Sequence, residues 1–329
     1  MGGRFGAPFS WHHRLQNISK NKMTFALLVE QIINGLQLGI ILFLVAAGLT
    51  LIFGIMDLVN LAHGTLYMFG AFFAATMVSI TGSIVWGMIL AIPLMLLAGV
   101  LLEVTILRTL YTRNHLDQVL ATFGLILFFN ELFLIAWGPE GTGIALPPWL
   151  SGSTKLGMGI ELPDYRIVIL VSGLIVAAML YFLVAKTKIG MLIRAGASNR
   201  EMVGALGVNI KLLYTAVFGI GAVMAGFAGM IITPITQAEA GMGEGFLILA
   251  FVVIVIGGIG STRGAFYAAI ITGLIDTLGR SFIDVVLLLV VESVTAETAG
   301  PAISSMLIYI LMAIVLALKP NGLFPPRGA

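Results

Sequence analysis

Apolar residues fill eight stretches of this chain, at 25–53, 58–80, 84–107, 119–137, 166–185, 212–235, 246–271 and 301–318. A run of roughly 20 apolar residues crosses a hydrocarbon core about 30 Å thick as a helix, so each stretch predicts a transmembrane span. Segments alternating with period two, which a membrane barrel requires, are missing. The pattern therefore predicts an all-α integral membrane protein, a polytopic bundle of about eight transmembrane helices. One region departs from it: Gly257-Gly258-Ile259-Gly260-Ser261 interrupts an apolar run, and 285–291 is too short to span. Half-helices or a re-entrant piece are expected there, because broken backbone survives at membrane depth only where protein or a cavity surrounds it.

The polar connections differ in charge. Those holding Arg108 and Arg113, residues 186–211, and the tail with Lys319 and Arg327 are basic. The connection 138–165 holds three acids against Lys155, and 236–245 holds Glu239 and Glu244 with no base. The basic set is expected on the cytoplasmic side of an inner membrane. Eight crossings then put Met23 outside, beside a leader, residues 1–22, that carries Arg4, Arg14, Lys20 and Lys22 against the rule. The leader lacks the apolar core of about 7–15 residues that a signal peptide needs. Either Met23 is the natural start or the leader is a loosely held, disordered tail; a mis-assigned start removes the charge conflict, as would one miscounted crossing, and the fold is read as a membrane domain at 23–324 with a short tail at 325–329.

Composition agrees: 59% of the 329 residues are hydrophobic and only 10% charged, where soluble domains carry about 25% charged residues. The 40 glycines suit close helix packing and helix breaks. Without cysteine there is no disulfide, thiol chemistry or thiolate metal site. No HExxH, GxSxG or Gly-Lys dipeptide occurs, which excludes a zincin, a nucleophile elbow and a Walker A loop, so any ATP must be bound by another chain. No metal site and no nucleic-acid partner are expected.

Several polar groups sit at membrane depth. Asp57, Asn60 and His63 stand at i, i+3 and i+6 between Gly54 and Gly64, which on a helix places them on neighbouring faces. They either line a path or form a wet interfacial turn in which Asp57 caps the next helix. Asp276, Arg280 and Asp284 step by four and are expected to neutralise one another. Glu103 and Arg108 close a span and are expected to snorkel. Glu131 with Asn130, and Glu30 with Gln31, Asn34 and Gln37, either line a path or join helices. A repeat is also legible: Gly70-Ala71-Phe72-Phe73-Ala74-Ala75 and Gly264-Ala265-Phe266-Tyr267-Ala268-Ala269 each follow a glycine-marked break. Matching breaks in two halves point to a binding site at the repeat interface.

The connection 186–211 carries five bases and one acid, Glu201, and is long for a link between neighbouring helices. Ser198 with Glu201 three residues on predicts a capping box, and Gly207 a stop. The short helix between them shows Met202, Val203 and Leu206 at helical spacing, suited to a partner's groove or to anionic lipid.

Here the chain resembles the permease subunits of ATP-binding-cassette importers for branched-chain amino acids. Their coupling-loop pattern is met by Arg194, Ala195, Asn199, Arg200, Glu201, Ala205, Leu206, Gly207 and Val208. Residues 48–54 with Asn60-Leu61-Ala62-His63-Gly64, Gly257-Gly258-Ile259-Gly260-Ser261 with Gly264-Ala265, and Pro320-Asn321-Gly322-Leu323-Phe324 agree too. The leader and the polar stretch 296–300 depart from the pattern. The resemblance implies two similar permease chains, identical or not, two cytoplasmic ATPases that bind ATP and magnesium, and a periplasmic binding protein that delivers the cargo. It implies that Arg194 and residues 198–207, with Ser198, Met202 and Ala205 among them, couple to an ATPase. It also implies that Gly54, Asp57, Asn60, His63, Gly64, Gly257, Gly258 and Gly260 flank the translocation path. Members of the family also carry urea or short amides. An ion-coupled transporter using Asp57, His63 or Glu131, and a passive channel, stand as the rival readings.

Overall fold

The computed structural model describes residues 25–157, 160–288 and 293–324; the leader and the tail expected at 1–22 and 325–329 lie outside them. Eleven α-helices occur among the described residues: α1 Phe25–Met56, α2 His63–Thr81, α3 Ile84–Thr105, α4 His115–Trp137, α5 Asp164–Lys186, α6 Lys188–Ser198, α7 Arg200–Ala205, α8 Ile210–Thr236, α9 Gly243–Gly257, α10 Thr262–Leu287 and α11 Ser293–Leu318. Their starts are chemically marked. Ser83, Asn114, Thr187, Asn199, Asn209 and Ser261 each accept a hydrogen bond from the backbone N–H three residues on, which satisfies a donor the helix itself leaves free.

Seven of these helices are long and apolar enough to cross a membrane: α1 to α5, α8 and α11. Between α9 and α10 the chain bends by 118° at residues 258–261, the glycine interruption. The stretch 296–300 belongs to the first turns of α11. An antiparallel hairpin, β1 Ser153–Gly157 and β2 Ile160–Pro163, decorates the connection after α4. Nothing in the hydropathy pattern announces it, because its two strands are only five and four residues long.

Burial sorts the helices into an inner and an outer set. In α1, 83% of the apolar window is buried by the rest of the chain, against 17% in α4, α5 and α11. α1 packs along α10 and α8, and α8 along α2. Lipid is as apolar as leucine, so close packing rather than apolarity holds such helices together. The contacts are built accordingly, with Gly35 and Gly39 of α1 against Gly273 of α10, and Gly70 of α2 against Gly226 of α8.

Contacts also fix the two faces. Thr142 and Ala238 exchange backbone hydrogen bonds at 2.9 Å, which joins the two acid-rich connections. Arg166, at the start of α5, bonds Asn34 near the start of α1 on the same side. At the other face Gly196 of α6 lies against Ile55 at the end of α1, and Gly54 against Gly260 of the bend. The basic connections, the bend and the end of α11 therefore share the side that the charge rule makes cytoplasmic.

Glu103 does not snorkel. Its carboxylate is fully buried at the basic end of α3, where it accepts hydrogen bonds from Arg108 at 3.0 and 3.2 Å, from the Tyr111 hydroxyl at 2.8 Å and from the Thr215 hydroxyl at 2.7 Å. The hydrogen bond to Glu103 raises the Arg108 guanidinium above its ordinary value, and burial followed by the same carboxylate raises the Tyr111 phenol. The cluster ties α3 to the first turns of α8. Glu103→Ala removes the acceptor shared by Arg108, Tyr111 and Thr215, leaving the Tyr111 hydroxyl and Arg108 Nε without that partner, and an expected loss of about 1–3 kcal/mol is measurable as a lower thermal midpoint in detergent. An unchanged midpoint would show that the cluster bears no load.

Candidate functional site

The connection 186–211 folds as two helices that meet at the extended residue Asn199, not as one. α6 lies against the bundle through the buried Gly190, Ile193 and Gly196, and Arg194 reaches back to the Val184 carbonyl. Ser198 ends α6 and does not cap α7; Asn199 is the cap, its Oδ1 accepting from Met202 N at 2.9 Å. Asn suits the position as well as Ser does, and two candidate caps in sequence cannot be ranked without knowing where the preceding helix ends. Gly207 closes α7 with φ +88, its N–H on the Gly204 carbonyl at 3.0 Å. Val203 is buried and seats the helix, which corrects the expectation that it is displayed. Arg194, Ser198, Asn199, Arg200, Glu201, Met202, Ala205, Leu206 and Gly207 are all exposed, with Met202 at 59% and Leu206 at 77%.

The path candidates divide among three places. Gly257, Gly258 and Gly260 form the bend, with Gly54 beside Gly260. The segment 320–324 seals it: Leu323 N–H donates to the Ile256 carbonyl at 2.8 Å and Phe324 N–H to Gly257 at 3.0 Å. These bonds occupy carbonyls that the end of α9 leaves without partners.

Asp57, Asn60 and His63 do not share a helix. α1 ends at Met56, Asp57 takes φ +53 and stays exposed, and residues 57–62 return as irregular backbone to the start of α2. Two of that return's N–H groups are held from α4: Val59 donates to Gln118 Oε1 at 3.1 Å and Leu61 to Thr122 Oγ1 at 3.2 Å. Gln118 and Thr122 went unnoticed in the sequence because single polar residues in a span look like helix glue. Asn60 and His63 are completely buried; His63 Nε2 donates to the Val45 carbonyl at 3.1 Å, while the Asn60 amide atoms and His63 Nδ1 have no protein partner. Polar atoms buried without a partner are rare in folded proteins and call for an explanation.

A second return mirrors the first. After α8 the chain takes φ +67 at Gln237 and runs through 238–242 to the start of α9. His63 N–H bonds to Asn60 and Thr65 N–H to Ala62; Met242 N–H bonds to Glu239 and Glu244 N–H to Gly241. Gly64 and Gly243 meet each other, a Cβ on either falling within 2.6 Å of the other's carbonyl oxygen. Tyr67 and Phe246 stack with ring centroids 4.5 Å apart. In each pairing, His63 with Met242, Gly64 with Gly243, Thr65 with Glu244 and Tyr67 with Phe246, the partners stand the same distance apart along the chain. α1–α2 and α8–α9 are therefore related by a pseudo-two-fold axis through the glycine contact, a register different from the one read from Gly70 and Gly264. The signal was present as glycine followed three residues later by an aromatic.

A bundle of long apolar helices, with two broken returns meeting at a pseudo-symmetric centre and a polar helical elbow on the basic face, is a multi-pass membrane permease. The family model described as "Branched-chain amino acid transport system / permease component" matches residues 31–316, and the chain belongs to that family. It is 27% identical to the high-affinity branched-chain amino acid transport system permease protein BraD of Pseudomonas aeruginosa over 90% of this chain and 95% of the relative. It is 26% identical to the LivH permease protein of the corresponding Escherichia coli system over 79% of this chain and 88% of the relative. A ribose import permease protein, RbsC of Haemophilus influenzae, is similar at 26% identity over 75% of this chain and 76% of the relative. No solved structure matches the chain. As a permease component of an ATP-driven importer it is an inner-membrane transport subunit and not itself an enzyme; ATP is handled by a separate subunit, and a binding protein is a further partner.

Proposed function

We propose that this chain moves branched-chain or other aliphatic amino acids inward, handed over by a periplasmic binding protein, in an assembly with a second permease-type chain and two cytoplasmic ATPases. In this reading α7 is the coupling helix. The observation that carries it is the exposure of Met202 and Leu206 on a helix capped at Asn199 and stopped at Gly207. Two large apolar side chains left uncovered by the rest of the chain on a capped one-to-two-turn helix fit a groove on a partner.

ATP binding draws the two ATPases together, α7 follows its groove, and α6 passes the motion to the bundle. Two rigid links are available for this: α6 lies on Ile55 and Leu213 through Gly196, and Glu103 binds Thr215 of α8. The two broken returns are the segments that reorganise as access alternates, since irregular backbone absorbs dihedral change at least cost. No bond chemistry is assigned to this chain.

Proteoliposomes give the test. With ATPases, second permease chain and loaded binding protein present, radiolabelled leucine accumulates only when ATP is supplied. The chain alone moves none, with or without a proton gradient. Uptake by the chain alone under a proton gradient would overturn this reading in favour of an ion-coupled transporter, and equal ATP-independent flux in both directions would favour a channel.

A further inference from the structure

Helix α4 has two opposed faces. Gln118, Thr122, Ile126 and Phe133 are its buried positions, and their steps of four and seven keep them on one side of the helix. Leu120, Gly124, Phe128, Glu131 and Ile135 recur at steps of three and four on the opposite side and are all exposed, Ile135 at 82%. Glu131 therefore points away from its own bundle. It stands six residues before Trp137, the last residue of α4, which at a rise of about 1.5 Å per residue is about 9 Å inside the helix end. Among the described residues its carboxylate makes no hydrogen bond and no ion pair.

We infer that this outer face of α4 is the seam on which a second, non-identical permease-type chain packs, with Glu131 bonded by a cation or hydrogen-bond donor of that chain. The inference takes from the importer reading above only that such a chain exists. Hydrocarbon offers a carboxylate at this depth no partner, and ionisable groups within spans turn toward protein or water. Nothing of the chain itself covers this one. Gly124, seven residues earlier on the same face, supplies a notch, since a Cβ there meets no atom within 4 Å. A small residue lets a neighbouring helix come close, and a polar side chain beside it bonds across the contact.

The charge also selects the occupant. A copy of this chain inserted in the same orientation and packed α4 to α4 would bring a second Glu131 to the same level, where like charges repel. The cations nearest that level in the spans, Arg166 and Arg280, are already bonded to Asn34 and Asp276. A different chain with an uncommitted donor at that depth meets the requirement, and Leu120, Phe128 and Ile135 pack around the bond as they would against lipid.

The complete importer, purified through a tag on this chain from membranes that also make the second permease chain and the ATPases, tests the seam. p-Benzoylphenylalanine in place of Ile135 is expected, on irradiation, to cross-link the second permease chain at least fivefold more than the same group in place of Ile175, an exposed position on α5. Gly124→Phe and Glu131→Leu are each expected to lower recovery of the second permease chain at least tenfold, with the thermal midpoint of this chain unchanged or raised, because neither side chain meets its own bundle. Glu131→Gln keeps a polar group and is expected to give intermediate recovery. Adducts with lipid alone, adducts between two copies of this chain, or full recovery with both Gly124→Phe and Glu131→Leu would overturn the inference and leave the importer reading intact. An unaltered complex that holds no second permease chain would overturn that reading and this inference with it.

Discussion

Gly243→Val is expected to abolish folded permease. A Cβ at this position would lie 1.9 Å from the Gly64 carbonyl oxygen, and the reciprocal Cβ on Gly64 would lie 2.6 Å from the Gly243 oxygen. Both obstacles are backbone, so no side-chain rotation relieves them; α2 and α9 must separate by more than an ångström. That separation unstacks Tyr67 from Phe246. Overpacking of a core costs about 1–3 kcal/mol where side chains adjust, and here the cost lies at or above the top of that range. The measurement is the yield of monodisperse protein in detergent and its thermal midpoint. Gly245→Ala, two residues on and facing open space, is the control and is expected to match or slightly exceed the parent, since alanine favours helix over glycine by up to about 1 kcal/mol. Equal midpoints for Gly243→Val and the parent would show that the two returns do not meet as described.

Met202→Ser combined with Leu206→Ser is expected to leave the bundle intact and to disconnect it from its motor. Both side chains are mostly exposed, and exposed positions tolerate substitution within about 0.5 kcal/mol. If they fill an ATPase groove, each removal costs an interface anchor about 2 kcal/mol. The two together then weaken docking by several hundredfold. ATPase subunits should fail to co-purify, and uptake should fall with them. Val203→Ser has the opposite signature, a destabilised elbow, because Val203 is buried against the bundle. Full co-purification with the double variant would place α7 on lipid and remove the coupling assignment.

Much of this was legible without coordinates. Seven of the eight apolar stretches foretold spans, because lipid demands length and apolarity of any crossing helix whatever its neighbours, while 246–271 runs across the bend between α9 and α10. The bend at 258–261 was announced by three glycines in five residues, and the stop at Gly207 by a residue that tolerates positive φ. Other features depended on partners distant in sequence. Glu103 looked like an interfacial charge until Thr215, more than a hundred residues away, completed its cage. Asp57, Asn60 and His63 looked like one helical face because spacing carries no information about where a helix ends. The repeat was sensed in the wrong register, since small and aromatic residues recur throughout a membrane sequence and only the reciprocal contact of Gly64 with Gly243 selects among the alignments.

The sequence by itself determined the class of the molecule, most of its span positions, its two charged faces and the capped basic segment proposed to meet a motor. These follow from transfer energies and local turn chemistry, which act residue by residue. Tertiary structure alone decided which buried polar groups meet, that two broken returns cross at a pseudo-two-fold axis, and that Asn130 of α4 reaches Glu244 of α9. In lipid the apolar effect does not choose among helix pairings, so contact geometry makes that choice.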